Sequence, residues 1–286
     1  MRSKFFPIVA FFMSFSGWAQ TDSILVPAGS FMMGSAKGPK DEQPVMEVTV
    51  QAFKLDKSPV SVEKFGRWIE TTGYQTEADR FGNSTVFDMR SGGWSLVEKA
   101  NWQKPFGQAG PKAPGNHPVT QVSWHDALSY CKAQNGRLPT EAEYEYAAKG
   151  AGQYGDPIYS FGDKIARDGD FLVNVYTGEF PFRNTGEDGY LYTAPVGETG
   201  ITPLGFTDMA GNVWEWTSDW FHPTWRQRAG DKNPTGPREG TEKVIKGGSF
   251  LCHDSYCNRY RPGARTRNTP DSSTSHTGFR LAYSED

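Results

Sequence analysis

The chain has 286 residues and a formal net charge of −3, with acidic and basic side chains interspersed. That balance excludes a partner recognised through bulk charge, such as nucleic acid or an anionic membrane surface. With 36% hydrophobic residues, 32 glycines, 19 prolines and 14% aromatics, long regular elements are scarce and large rings must fill the core.

Residues 1–19 read as a signal peptide. Arg2 and Lys4 precede an apolar run over residues 5–15 that is too short to span a bilayer. Gly17 and Ala19 then put small residues where a signal peptidase cleaves, and Gln20 follows rather than a lipid-accepting cysteine. The expectation is export to the periplasm or beyond, no stable membrane anchor, and one domain over residues 20–286. No linker or internal repeat divides it.

Residues 24–34 predict a hairpin, two apolar runs around Pro27-Ala28-Gly29. Residues 44–57 predict one further strand. Residues 61–72 predict a helix capped by Ser61, with Val62, Phe65 and Trp68 on one face. Residues 75–115 are irregular, with Phe87, Trp94, Trp102 and Phe106 among glycines and charges. A long irregular stretch in a compact domain often serves function. Residues 116–124 predict a strand and 125–134 a helix capped by Ser123, with Cys131 packed as a small apolar residue. Thr140 and Glu143 form a capping box opening a second helix. Capping and first-turn charge account for Glu141, Glu143 and Glu145 better than catalysis does. Residues 174–180 lead to an acidic, turn-rich loop at residues 184–190, and Asn174 and Asp188 offer the oxygens calcium prefers. A merely solvated acidic turn remains open. Trp214 and Trp216 share one face by alternation and read as core. Residues 222–240 read as a loop, and residues 241–246 predict the strand that delivers the chain to Ser249.

Residues 246–280 concentrate the chemistry. Gly247 and Gly248 suggest a crowded backbone beside a site. Ser249 follows, then Cys252 and Cys257 five residues apart, His253 between them, and Arg259, Arg261, Arg265 and Arg267 behind. Three readings of the cysteines compete. They form a structural disulfide, which an oxidising compartment permits but whose short loop restrains little entropy. They form a redox pair with an attacking and a resolving thiol. Or they hold a soft metal, where two thiolates fit a low-coordinate Cu(I) better than a four-ligand zinc.

The segment resembles the active-site region of the formylglycine-generating enzymes, copper-dependent oxidases that convert a sulfatase cysteine to formylglycine. The matching residues are Gly247, Gly248, Ser249, then Cys252, His253, Ser255, Tyr256 and Cys257, then Arg259-Tyr260-Arg261, Ala264-Arg265, residues 268–273 and Gly278-Phe279-Arg280. The resemblance continues upstream, through the opening Pro-Ala-Gly-Ser-Phe pattern and the GNVWEW string at residues 211–216. It implies a single compact α+β domain of the C-type-lectin-like kind with little regular secondary structure. It implies that Cys252 and Cys257 hold Cu(I), that a client thiolate joins them, that O2 reacts there, and that a thioaldehyde hydrolyses to the aldehyde. Ser249 and Tyr256 would place sulfur and oxygen species, and Trp102, Arg259 and Arg261 would bind substrate. The implied partner is a monomeric enzyme's unfolded or partly unfolded sulfatase, carrying Cys-x-Pro-x-Arg. Two structural Ca2+ sites are implied, one from Asn174, Val175, Asp188 and Tyr190, the other from Asp208, Gly211, Val213 and Glu215. Animal relatives pair Cys131 with a cysteine where this chain has Leu281, and their second disulfide falls on Ala148 and Pro262. The alternative is a non-catalytic exported binding or assembly protein of the same fold with Cys252 and Cys257 oxidised.

Overall fold

The computed structural model describes residues 22–155, 157–224 and 230–285. The predicted signal peptide lies outside them, as does part of the loop predicted at 222–240.

The first strands are β1 (Ser23–Val26), β2 (Gly29–Met33), β3 (Met46–Val50) and β4 (Phe53–Asp56). The expected hairpin at 24–34 does not form. β1 pairs with β4, placing Val26 opposite Phe53, while β2 pairs with β3. A two-residue hairpin turn needs positive φ, which Pro27 cannot adopt. The single strand expected over 44–57 is likewise two strands in different sheets, divided at Gln51 and Ala52.

Helix α1 (Val62–Thr72) is capped as expected, the Ser61 hydroxyl accepting from the Lys64 N–H. It buries Phe65 and Trp68 against Tyr130 of a later helix. The stretch 75–115 is more regular than its sequence suggests. It holds α2 (Glu77–Phe81) and an antiparallel hairpin of β5 (Asn83–Asp88) and β6 (Gly93–Glu98), turning at Gly92 with φ 65°. Residues 116–123 form no strand beyond a single bridge between Pro118 and Ser61, and Trp124 already opens the next helix. Pro118 lacks an N–H, and Gln121 takes φ 58°, so the run cannot continue a ladder.

Helices α3 (Trp124–Ala133) and α4 (Glu141–Ala148) both open with complete capping boxes, Ser123 with Asp126 and Thr140 with Glu143. Short pairs follow: β7 (Ala166–Arg167) with β8 (Asp170–Phe171), and β9 (Gly178–Glu179) with β10 (Arg183–Asn184). The largest sheet has the order β13-β12-β11-β14, from β11 (Trp214–Trp220), β12 (Lys243–Lys246), β13 (Thr266–Asn268) and β14 (Thr277–Gly278). Finally β15 (Ala282–Ser284) returns to pair with β4.

Trp214 and Trp216 are buried in the main core, as their alternation predicts. Cys131 is fully buried there too, together with Leu281, and burial pushes its thiol well up. Trp102 is core rather than cleft: it is buried and packs edge-on to Phe65 of α1. The α4 carboxylates do more than cap. Only Glu143 caps. Glu145 accepts from Lys246 at 3.0 Å, and Glu141 accepts from Arg265 at 2.8 Å, all four side chains being buried. An unpaired buried charge is costly, so these pairs hold the end of β12, through Lys246, and the approach to β13, through Arg265, against α4.

Candidate active site

Lys246, locked by Glu145, is the last residue before the site. Gly247 and Gly248 follow with φ 94° and 77°. A Cβ on Gly247 would meet the Tyr144 hydroxyl at 2.6 Å, and one on Gly248 would stand 2.9 Å from the Tyr260 Cα. Both positive φ and crowding therefore require glycine, as the sequence suggested. The chain then turns at Ser249, which is fully buried, and the Cys252 N–H donates to its carbonyl at 2.8 Å. A second turn, in which Tyr256 and Cys257 donate to the His253 carbonyl at 3.0 and 2.8 Å, brings Cys257 back over Cys252.

The Cα atoms of the two cysteines are 5.4 Å apart and their sulfurs are joined in a disulfide. Of the three readings left open by the sequence, the structure draws the oxidised pair, so free thiols belong to its reduced form. Cys252 is buried and Cys257 half-buried. Both line a cavity of about 240 Å³ with Ser249, Tyr256, Arg259 and His276. Its wall is a chain of rings: Trp94 meets Phe87 edge-on, Phe87 stacks on Phe180, and Phe180 stacks on Tyr256 at 4.4 Å between centroids. A larger cavity, about 680 Å³, lies on the other side of Tyr256, Cys257 and Arg259, and those three residues line both.

Of the residues expected to bind substrate, Arg259 stands at this junction, its guanidinium donating, among the described residues, only to Thr266. Arg261 is instead held by Glu42, donating to both carboxylate oxygens at 2.9 and 3.0 Å. Trp102 lines neither cavity and is buried in the core. Sequence reading named Phe87 and Trp94 only as part of an irregular stretch, and missed Phe180, which fell beside the expected calcium loop, and His276, which nothing local marks. His253 is engaged with Ser255, its Nδ1 2.7 Å from that hydroxyl.

His276 sits behind Ser249, its Nδ1 3.2 Å from the Ser249 Oγ and its ring 4.7 Å from that of Trp94. Burial pushes its imidazole down to about 3, although one part of the residue stays open.

For a metal at the cysteines, the donors decide. Among the described residues no group of three histidine, cysteine or carboxylate ligands exists, which argues against a four-ligand zinc. Two sulfurs on one turn, once reduced, suit a soft low-coordinate ion. The first calcium set also fits a cation. The Asn174 Oδ1 is buried with no hydrogen-bond partner, while Asp188 accepts from the N–H groups of Val175 and Tyr190 at 2.9 and 3.1 Å. An acceptor left unpaired in the interior is costly, and a cation would satisfy it. The second set differs. Asp208 accepts from Gly197, Thr199 and Asn212. Glu215 accepts from Tyr144 and from two nitrogens of Arg280 at 2.7 and 2.8 Å. Its carboxyl is pushed up by burial against the pull of Arg280. Both carboxylates thus already hold partners from the chain. The residue after Val175 ties this segment to the cysteines: the Tyr176 N–H donates to the Cys252 carbonyl at 3.0 Å.

Small sheets, few helices and a loop-built cleft ending at a cysteine pair define the class to which the fold belongs. A solved structure of PvdO from Pseudomonas aeruginosa shares that fold, with a TM-score of 0.70 at 23% identity, covering 92% of this chain and 94% of that one. The chain belongs to the FGE-sulfatase family, whose model, described as a sulfatase-modifying factor enzyme 1-like domain, matches residues 13–285. A formylglycine-generating enzyme of Streptomyces coelicolor is 43% identical, covering 92% of this chain and 89% of its own length. One of Mus musculus is 42% identical, covering 92% of this chain and 75% of its own length.

Proposed function

We propose that the chain is an oxidase that converts a cysteine of a sulfatase polypeptide to formylglycine, acting on a Cys-x-Pro-x-Arg segment with O2. The observation that carries this reading is the Cys252–Cys257 pair at the junction of two cavities, in a chain of this family. The client would be unfolded or partly unfolded there. An extended segment advances about 3.3 Å per residue, so only a loose stretch of chain can reach the half-buried Cys257 at the floor. The ring wall from Trp94 to Tyr256 offers apolar contact to such a segment, and Arg259 offers donors to its carbonyls.

In the reduced form Cys252 and Cys257 would hold Cu(I), which supplies the one-electron chemistry that lets a thiolate react with dioxygen. The chain's own residues do the rest. The second turn keeps both sulfurs on one side of the cleft. The rings exclude water from the reacting Cβ. Ser249 and Tyr256 stand where a sulfur or oxygen species is to be oriented. Overall, the client gives one hydrogen from sulfur and one from Cβ to O2, a two-electron oxidation that leaves hydrogen peroxide, and water converts the thioaldehyde to the aldehyde with release of hydrogen sulfide.

Ca2+ would brace the site from behind. At Asn174, Val175, Asp188 and Tyr190 the orphaned Asn174 oxygen supports it; at Asp208, Gly211, Val213 and Glu215 family membership alone does. Export as a monomer, to a compartment where the client also arrives unfolded, completes the reading.

The disulfide favours one second reading, a non-catalytic exported binding protein with this pair permanently oxidised. Titration of the reduced protein with Cu(I) separates the two. One-to-one binding that disappears in both Cys252→Ser and Cys257→Ser supports the oxidase. Binding that survives either substitution, or never occurs, overturns it.

A further inference from the structure

Among the described residues, one ring nitrogen lining the cleft has its protonation fixed by a buried neighbour and makes no hydrogen bond of its own. Ser249 is fully buried, so its hydroxyl proton needs an acceptor. The Leu251 N–H donates to its Oγ at 3.3 Å, and the remaining partner of that oxygen is the His276 Nδ1 at 3.2 Å. The Ser249 O–H therefore donates to Nδ1. This fixes the tautomer: the proton of the neutral imidazole sits on Nε2. Among the described residues Nε2 makes no hydrogen bond, and it is not among the sealed orphan atoms. The residue is half-buried and lines the cavity that both cysteines line. The ring cannot easily swing away. Trp94 packs against it in a T-shaped contact, and the His276 carbonyl accepts from the Trp214 N–H at 2.8 Å.

We infer that His276, set by Ser249, presents its Nε2–H to a backbone carbonyl of the client segment beside the reactive cysteine. This rests on the proposed function, because it needs a peptide in the cleft. A fixed, neutral N–H donor in a ring-walled cavity matches a peptide carbonyl, the acceptor that every client sequence carries, and it costs no rearrangement on binding. Ser249 is then a positioning residue for the donor as well as a neighbour of the sulfurs.

The test measures affinity for a Cys-x-Pro-x-Arg peptide with serine in place of its cysteine, which binds without reacting. The variants are His276→Phe, which keeps a ring against Trp94 and removes the donor, and His276→Gln, which keeps a donor. Loss of one hydrogen bond predicts that His276→Phe binds about three- to tenfold more weakly, with His276→Gln within about threefold of the parent and Cu(I) affinity the same in all three. If His276→Phe is misfolded by circular dichroism, Ser249→Ala, which frees the tautomer, must itself weaken the peptide about threefold or the inference fails. Unchanged peptide affinity in a folded His276→Phe overturns it, whether or not turnover falls. If the parent protein neither binds the peptide nor oxidises its cysteine form, the proposed function fails instead.

Discussion

Lowering the pH should cost this protein stability through His276 in particular. The unfolded imidazole titrates near 6.5, whereas burial pushes the folded one down to about 3. The native state therefore resists protonation while the unfolded state takes the proton. Stability from this residue is complete above about pH 7, is lost as pH falls through 6.5, and continues to fall until about 3. At pH 5 the two titration curves differ by about 1.5 pH units of free energy, or about 2 kcal/mol. That figure hardly depends on the folded value, provided it stays below about 4. Because part of the residue opens on the cleft, where water can screen the charge, between about 1 and 2 kcal/mol is expected. Asp56 and Asp219, both pushed up to about 6 by burial, work in the opposite sense, gaining stability as pH falls. Comparison with His276→Asn removes them. Guanidinium unfolding of both proteins at pH 7.5 and 5 should show the parent losing about 1–2 kcal/mol more than the variant. Superimposable pH dependences would refute the reasoning.

Arg280 is fully buried on Glu215, so Arg280→Met should cost about 3–5 kcal/mol in urea unfolding. The double variant with Glu215→Leu should recover much of that loss. Cys131 is buried with its thiol pushed up, so a thiol-titrating reagent should count none in the native oxidised protein and two after mild reduction. A count of one before reduction would place Cys131 within reach of solvent. Millimolar Ca2+ should raise the melting temperature by several degrees, and Asn174→Ala, which removes the orphaned oxygen, should weaken that response. An identical response in the variant would remove this residue from the cation's ligands.

What the sequence made legible was local. Ser61, Ser123 and Thr140 announce their helices because a cap acts within four residues. Gly247-Gly248 announces a crowded backbone because only glycine tolerates it. The sheet partners were hidden, since β4 lies between β1 and β15, the latter arriving from the far end of the chain. Arg261 and Arg259 look alike in sequence, and only the fold gives the first to Glu42, 219 residues away, and leaves the second in the cleft. Trp102 was read as a wall because it lies among glycines and charges, but the core needed its ring beside Phe65. The Ser249–His276 contact joins residues 27 apart with no periodicity between them.

The most direct measurement is mass spectrometry of a Cys-x-Pro-x-Arg peptide incubated in air with reduced, copper-loaded protein. The account predicts that the peptide loses its sulfur and gains a carbonyl that an aldehyde-specific hydrazide captures, with no change when Cys252 or Cys257 is serine. A peptide that returns intact, or only joined to another thiol, would contradict it.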